Sequence, residues 1–306
     1  MKTALITTLF NERENLARWW ERIVGQTVRP DEIVVVDGGS TDGTWEQLQI
    51  LARESPVPVR LKQQRCNIAA GRNLAIQMTD AEVIASTDAG SFPGTNWFAE
   101  IVQPLLDDPA VDAVGGRSEN LVENDFQRLV VFFQAPPTEP TRSEDVHPSS
   151  RNIAFRRQAW ADVGGYPEWL TLTAEDSLFN FNLHKIGCRF HYNRDAVVAW
   201  PMRENARAYF KMLRGYGYGA AEAQLFAKHF RFNILMALCP WLLLLSRHRT
   251  RGLWFRYRSF LASSTGWVAG WLRGHRPPAD WKRCEGILLS PEAQRCLAGG
   301  KQSVGH

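Results

Sequence analysis

The sequence predicts an α/β protein built on a parallel sheet and followed by a helical C-terminal segment, and three observations carry that expectation. Between residues 1 and 116, short Val- and Ile-rich runs alternate with stretches of helical periodicity, the pattern of strand, crossover helix and next strand. Polar clusters, Phe10-Asn11-Glu12, Asp37-Gly38-Gly39-Ser40 and Thr87-Asp88-Ala89-Gly90, follow three of those runs. Ligands of open α/β sheets gather at the carboxyl ends of strands, so these clusters are candidate site residues. Finally, nine of the 36 Lys and Arg residues and none of the 32 Asp and Glu residues lie between 223 and 279, so an acidic body carries a basic, Trp-rich tail.

Taken in order, residues 4–8 form a first apolar strand that leads into a helix over 12–26. The run at 32–37, Glu-Ile-Val-Val-Val-Asp, suits a strand covered on both faces. Ser40, Thr41 and Asp42 are natural N-caps for a helix over 44–53. Asp37 ends a hydrophobic strand with no obvious cap to make, which points to a ligand role. A strand over 57–62, a helix over 69–78 and a strand over 82–88 complete the first half. After a strand at 111–115, the Pro-rich segment 135–150 is a loop. A short strand at 152–156, helices at 158–163 and 175–186, and a last strand at 196–200 follow. Everything beyond 204 reads as helical.

Composition excludes several classes. At 306 residues, 44% apolar and 22% charged, the chain is an ordinary globular one and neither disordered nor collagen-like. Cys66, Cys188, Cys239, Cys284 and Cys296 are scattered without zinc-site or disulfide spacing, which favours a reducing compartment, and the histidines show no ligand spacing. No secretory leader can be drawn at the N-terminus, so a cytoplasmic chain is expected. In the tail, residues 232–246 and 259–272 are charge-free but shorter than the roughly 20 residues that span a bilayer. Flanked by arginines and carrying Trp241, Trp254, Trp267 and Trp271, they suit helices lying on an anionic membrane surface. Such apolar runs are not needed on a phosphate-tracking surface, which argues against nucleic acid. Beyond Pro277-Pro278 a loosely held end is expected.

Thr8-Leu9-Phe10-Asn11-Glu12, then Val36-Asp37-Gly38-Gly39-Ser40-Thr41-Asp42-Gly43-Thr44, then Gly71-Arg72-Asn73 and Thr87-Asp88-Ala89-Gly90, in this order and spacing, resemble the family 2 glycosyltransferases. The resemblance implies the GT-A fold, a Rossmann-like nucleotide-sugar domain, and transfer of a sugar from a nucleotide-diphosphate donor with inversion. It implies a nucleotide-sugar-binding half over 1–116, an acceptor-side half over 117–205, and a helical lid with a membrane-associating segment over 206–306. Glu12 and Asp37 then lie against the nucleoside, with Thr8, Phe10, Asn11, Gly39, Ser40, Arg72 and Ala89 around the donor. Asp88 matches the first carboxylate of an aspartate-any-aspartate motif that holds ribose and a divalent metal, whereas Gly90 replaces the second. Mg²⁺ or Mn²⁺ would therefore rest on Asp88 and on oxygens of the diphosphate itself.

Glu175-Asp176 resembles the family's acidic pair at the head of a helix, which makes Asp176 the expected general base beside Glu175. Arg151 and Asn152 fall on the acceptor or diphosphate side, and Arg203 is a further cation there. Glycines 215, 217 and 219 fit either a flexible lid or close helix packing. The acceptor implied is a hydroxyl of a lipid-linked or cell-envelope glycan, reached from the cytoplasmic face of the inner membrane by a peripheral enzyme. Two rivals stand beside this reading. One is a degenerate nucleotide-sugar-binding scaffold without catalysis; the other, a nucleotidyltransferase, needs a Gly-rich basic loop that Thr7-Thr8-Leu9-Phe10-Asn11 does not provide.

Overall fold

Strand β1 (Thr3–Leu9), helix α1 (Arg13–Val24), β2 (Glu32–Asp37), α2 (Thr44–Arg53), β3 (Val59–Gln63), α3 (Ile68–Gln77) and β4 (Val83–Ser86) open the chain as successive crossover units. These positions come from a computed structural model that describes residues 1–133, 139–245 and 252–299. There follow β5 (Phe92–Pro93), α4 (Trp97–Asp107), β6 (Ala113–Leu121), α5 (Asp125–Phe133), β7 (Ile153–Arg156), α6 (Arg157–Asp162), α7 (Glu175–Lys185) and β8 (Phe190–Pro201). The C-terminal elements are α8 (Ala206–Glu222), α9 (Ala227–Leu238), α10 (Leu253–Arg273), a hairpin of β9 (Lys282–Cys284) and β10 (Ile287–Leu289), and α11 (Pro291–Ala298).

Eight strands form one sheet in the order β3-β2-β1-β4-β7-β6-β8-β5. The first four are parallel, but β7 runs antiparallel to both β4 and β6, and β5 runs antiparallel to β8. The sheet is therefore mixed where a parallel one is expected. Because successive strand residues point to opposite faces, Ile33 and Val35 enter one core with Leu5, Trp19, Trp97 and Ile101, under α1, α2 and α4. Val34 and Val36 enter the other with Ile6, Phe155, Phe179 and Leu183, under α3, α6 and α7. Double coverage explains why β2 is buried along its whole length.

Several elements depart from expectation. Helix α4 has no counterpart in the sequence reading: Pro104 lies inside it and masks a helical face whose Trp97, Ile101 and Leu105 are buried. Strand β8 starts at Phe190, because its polar first half pairs with β6 across an irregularity at Gly116 and Arg117. Residues 279–299 are neither helical throughout nor loose, and the rest of that expected end, 300–306, lies outside the described residues. Glu285 and Gly286, both at positive φ, form the two-residue turn of the β9–β10 hairpin. Leu288, Leu289 and Ala293 are buried, and Ser290 caps α11 while its hydroxyl donates to the Val163 carbonyl. Of the expected 135–150 loop, residues 135–138 lie outside the described residues, and the rest is docked on α7 through Asn180 and His184.

Gly217 and Gly219 of α8 serve packing, whereas a Cβ at Gly215 would meet nothing within 4 Å, and the helix runs through all three unbroken. A Cβ on Gly217 would overlap the Ser263 carbonyl of α10, and one on Gly266 or Gly270 would overlap carbonyls of α8. Small residues on both helices thus bring the two backbones into contact. Among the described residues no helix is long and apolar enough to cross a membrane.

His184 stacks on Phe190 at 4.0 Å, lies 4.6 Å from the His147 ring and bonds the Val146 carbonyl at 2.9 Å. Burial holds both imidazoles below their ordinary value of 6.5, so both are neutral in the folded protein. Below about pH 6.5 the unfolded chain takes up protons that the native state refuses, and stability falls as pH falls. Thermal melts from pH 7 to pH 5 should therefore show a declining midpoint that flattens in His147→Gln/His184→Gln; an unchanged profile in that variant would contradict the assignment.

Candidate functional site

A cavity of about 1000 Å³ opens at the carboxyl ends of β1 and β4. Thr8, Phe10 and Glu12 line it from the end of β1, Gly38 from the β2 turn, and Asp88, Ala89 and Gly90 from the turn after β4. Arg72 enters from α3, Leu170 to Thr173 and Glu175 from the approach to α7, and Trp200 to Asn205 from the end of β8. The structure thus brings together Thr8, Phe10, Glu12, Arg72, Asp88, Ala89, Glu175 and Arg203 of the expected residues. Asn11, Asp37, Gly39, Ser40, Arg151, Asn152 and Asp176 are not on the cavity wall.

Arg72 is the centre of the site. Its buried guanidinium donates from Nη2 to Asp88 Oδ1 at 2.9 Å and from Nη1 to Glu175 Oε1 at 2.6 Å, and lies 5.5 Å from the Tyr166 ring centre. Burial opposes its charge, but the two carboxylates outweigh that cost and drive its pKa upward. Burial raises the Glu175 carboxyl, with Arg72 pulling it back and the neighbouring Asp176 charge adding to the rise. Asn73, next in α3, fastens the same junction: its Nδ2 donates to the Tyr166 carbonyl, and its Oδ1 accepts from Tyr166 N and Trp160 Nε1.

Glu12 projects into the cavity from the end of β1. Burial raises its carboxyl, a long hydrogen bond from Asn15 and the charge of Arg203 oppose the rise, and Asp88 reinforces it.

Asp37 does cap its own turn, contrary to the expectation that it caps nothing. Its Oδ1 accepts from Gly39 N at 2.7 Å and Ser40 N at 2.6 Å, a local arrangement available to any aspartate before such a turn. Its Oδ2 is buried with no hydrogen-bond partner among the described residues. Asn11, at φ 54°, stitches β1 to that turn by donating from its N–H to Ser40 Oγ and accepting from Thr41 N at Oδ1. Asn152, expected on the acceptor side, is a strut inside the sheet: it accepts from Trp97 Nε1 and donates to the Arg117 and Ala196 carbonyls. Arg151 lies over the Trp200 ring at 4.2 Å, and Arg203 stands 6.0 Å from the same ring. The acidic pair divides. Glu175, which begins α7 after Ala174 at φ 75°, is on the cavity wall, while Asp176 follows it off the wall and its Oδ1 accepts from Ser177 N at 2.6 Å.

The run that begins at Trp200, whose resemblance implies a segment closing over the nucleotide, does line the cavity, whereas Leu170, Thr171 and Leu172 escape sequence reasoning because nothing in their spacing sets them apart.

The profile of Glycosyl transferase family 2 matches residues 4–164, which is more than half of the chain. The chain belongs to glycosyl transferase family 2. It is 24% identical over 246 residues to the glycosyltransferase AglE of Haloferax volcanii, covering 78% of this chain and 79% of that protein. It is 27% identical over 227 residues to the O-antigen chain rhamnosyltransferase RfbN of Salmonella typhimurium, covering 69% and 71%. A solved structure of the mannosyltransferase PcManGT from Pyrobaculum calidifontis, in complex with GDP-Man and Mn²⁺, superposes with a TM-score of 0.57 at 21% identity, over 97% of this chain and 79% of that one. The protein is a glycosyltransferase of the GT-A fold, and the family membership sets aside the nucleotidyltransferase.

Replacing Arg72 leaves the buried Glu175 without its counter-ion, whereas Asp88, 40% exposed, is screened by water. Arg72→Met should lower the urea unfolding free energy by about 3 kcal/mol. A loss below about 1 kcal/mol would mean that the bridge is a surface-grade ion pair.

Proposed function

We propose that this glycosyltransferase moves a sugar from a nucleoside-diphosphate donor, with inversion, onto a hydroxyl of a lipid-linked or cell-envelope glycan. The observation that carries the proposal is the convergence on one cavity of Glu12, Asp88 and Arg203 with the acidic head of α7. The names of the relatives favour it, since RfbN is an O-antigen chain rhamnosyltransferase and PcManGT is bound to GDP-Man and Mn²⁺.

The nucleoside lies against the ends of β1 and β2. Gly38, next to the buried Asp37, lies on the cavity wall, so Asp37, through its bonds to Gly39 N and Ser40 N, shapes the turn that a base would meet. The diphosphate lies toward Asp88 and Arg203. Arg72, held by two carboxylates, positions Asp88 and leaves Arg203, with Arg18 and Arg65 on the same wall, as cations for the departing phosphates. A bound divalent ion, Mg²⁺ or Mn²⁺, supplies further neutralisation of the leaving group, and Asp88 offers it a hard oxygen.

On the acceptor side Glu175 is committed to Arg72, and the resemblance of the acidic pair assigns the base to Asp176, beside it in α7 and off the cavity wall. As the acceptor oxygen attacks the anomeric carbon, its proton passes to Asp176; the bond to the diphosphate breaks on the opposite face and the phosphate oxygen keeps the electron pair. Asp176→Asn should reduce transfer by at least about 100-fold with donor affinity unchanged, because the base acts only on the acceptor. Calorimetry with UDP-, GDP- and dTDP-sugars, beside product assays, checks this; full turnover in the variant, or no binding of any donor, would sink the proposal.

The enzyme works as a peripheral protein on the cytoplasmic face of the inner membrane. Trp254, Leu261, Val268 and Leu272 are exposed along α10 at helical spacing, with Leu238 of α9 and Trp241 of the following turn beside them. Lys228, Arg231, Arg256, Arg258, Arg273 and Arg276 accompany them, and no acidic residue lies between 223 and 279. Each cation near an anionic surface adds about 1 kcal/mol. Leu261→Ser/Val268→Ser/Leu272→Ser should weaken binding to phosphatidylglycerol vesicles at least about tenfold, a loss of 1.4 kcal/mol or more. Undiminished sedimentation with the vesicles would contradict this surface assignment.

A further inference from the structure

A second cavity, of about 290 Å³, lies between the α8–α9 turn, α10 and the β9–β10 hairpin, and it shares no lining residue with the first. Its floor is apolar, since Ala221 and Leu225 are both buried. Trp267 and Trp271, one helical turn apart on α10, form one wall. Trp267 is fixed by stacking on Phe230, with ring centres 6.2 Å apart and planes inclined by 12°. Arg231 of α9, Arg276 beyond the end of α10 and Arg283 of β9 reach the same cavity from three separate elements.

No acidic residue lines this cavity. The nearest acid in the chain, Glu222, is spent elsewhere, on Thr171 and on the His275 N–H. Arg283 Nη2 donates to Gln224 Oε1 at 2.6 Å, and a bond to a neutral amide orients the guanidinium without cancelling its charge. Three like charges around one apolar floor repel one another until an anion enters. The forked N–H donors of arginine match the oxygens of a phosphate in pairs. A volume near the lower end of small-molecule cavities, roughly 300 Å³, suits a phosphate with a short polar group and is too small for an oligosaccharide. Trp271 is 56% exposed at the cavity, and the exposed Val268 and Leu272 continue from it along α10. Tryptophans with one apolar and one wet side belong at the level of lipid headgroups.

From this lining we propose that the second cavity binds the phosphate headgroup of one anionic phospholipid, with Arg231, Arg276 and Arg283 on the phosphate and Trp271 at the lipid boundary. The proposal rests on the peripheral-membrane reading above and deepens it. A diffuse attraction depends on how many cations face the surface, whereas a built cavity depends on which ones and on their shape.

The test holds the charge count fixed. Binding of the full chain to vesicles of phosphatidylglycerol in phosphatidylcholine is measured by sedimentation for the wild type and for three variants. Arg231→Gln/Arg276→Gln removes two cations from the cavity, and Lys228→Gln/Arg273→Gln removes two from the same layer outside its lining. Arg231→Lys/Arg276→Lys keeps the charge and loses the forks. The first pair should weaken binding about tenfold or more beyond the second, and the lysine pair should weaken it about threefold or more relative to the wild type. Equal losses in the two glutamine pairs, or wild-type binding by the lysine pair, overturn the proposal and leave the surface reading standing. A wild type that ignores the vesicles defeats both. Calorimetry with inorganic phosphate separates the two sources of the anion. Phosphate binding that is lost in Arg231→Gln/Arg276→Gln, with vesicle binding no weaker than in the outer pair, assigns the cavity to a soluble phosphate compound and overturns the lipid assignment.

Discussion

The site depends on one buried cation. Arg72 sits between a turn of the first half, at Asp88, and the head of α7 in the second half, at Glu175, and neither carboxylate can change place without leaving a charge unpaired. Taking such a guanidinium out of water is costly and is offset only because both partners lie within hydrogen-bond distance. The return is geometric. The turn after β4 and the helix that carries the acidic pair are held in one register, which the proposed displacement requires.

The C-terminal layer is attached to the same site. Glu222, buried at the end of α8, accepts from Thr171 N at 3.1 Å and Thr171 Oγ1 at 2.7 Å, and from His275 N at 2.8 Å. Thr171 belongs to the cavity wall and His275 follows α10, so one carboxylate joins the wall to both helices of the basic layer. Gly219 lets α8 lie directly on the Thr173 backbone. The C-terminal helices are thereby rigidly connected to the cavity wall.

Much of this was legible in residue order, because it is written in local patterns. The crossover units follow from runs such as Ile33 to Val36, and the clusters at Glu12 and Asp88 follow from the rule that α/β sites collect at strand ends. What was hidden depends on partners distant in sequence. Asn152 looks like a site residue until Trp97, Arg117 and Ala196 claim its amide. Arg72 looks like a phosphate ligand until Glu175, more than a hundred residues away, takes one side of it. Pro104 concealed α4, and the hairpin near the C-terminus is too short to show a period.

The most direct measurement is a double-mutant cycle in urea unfolding between Asp88→Asn and Glu175→Gln, repeated with Arg72→Met. If the guanidinium couples the two halves, the carboxylate substitutions should be non-additive by roughly 1 kcal/mol or more, and that coupling should vanish once Arg72 is gone. Additivity within about 0.5 kcal/mol in the wild-type background would show that Asp88 and Glu175 are independent and that Arg72 does not organise the site.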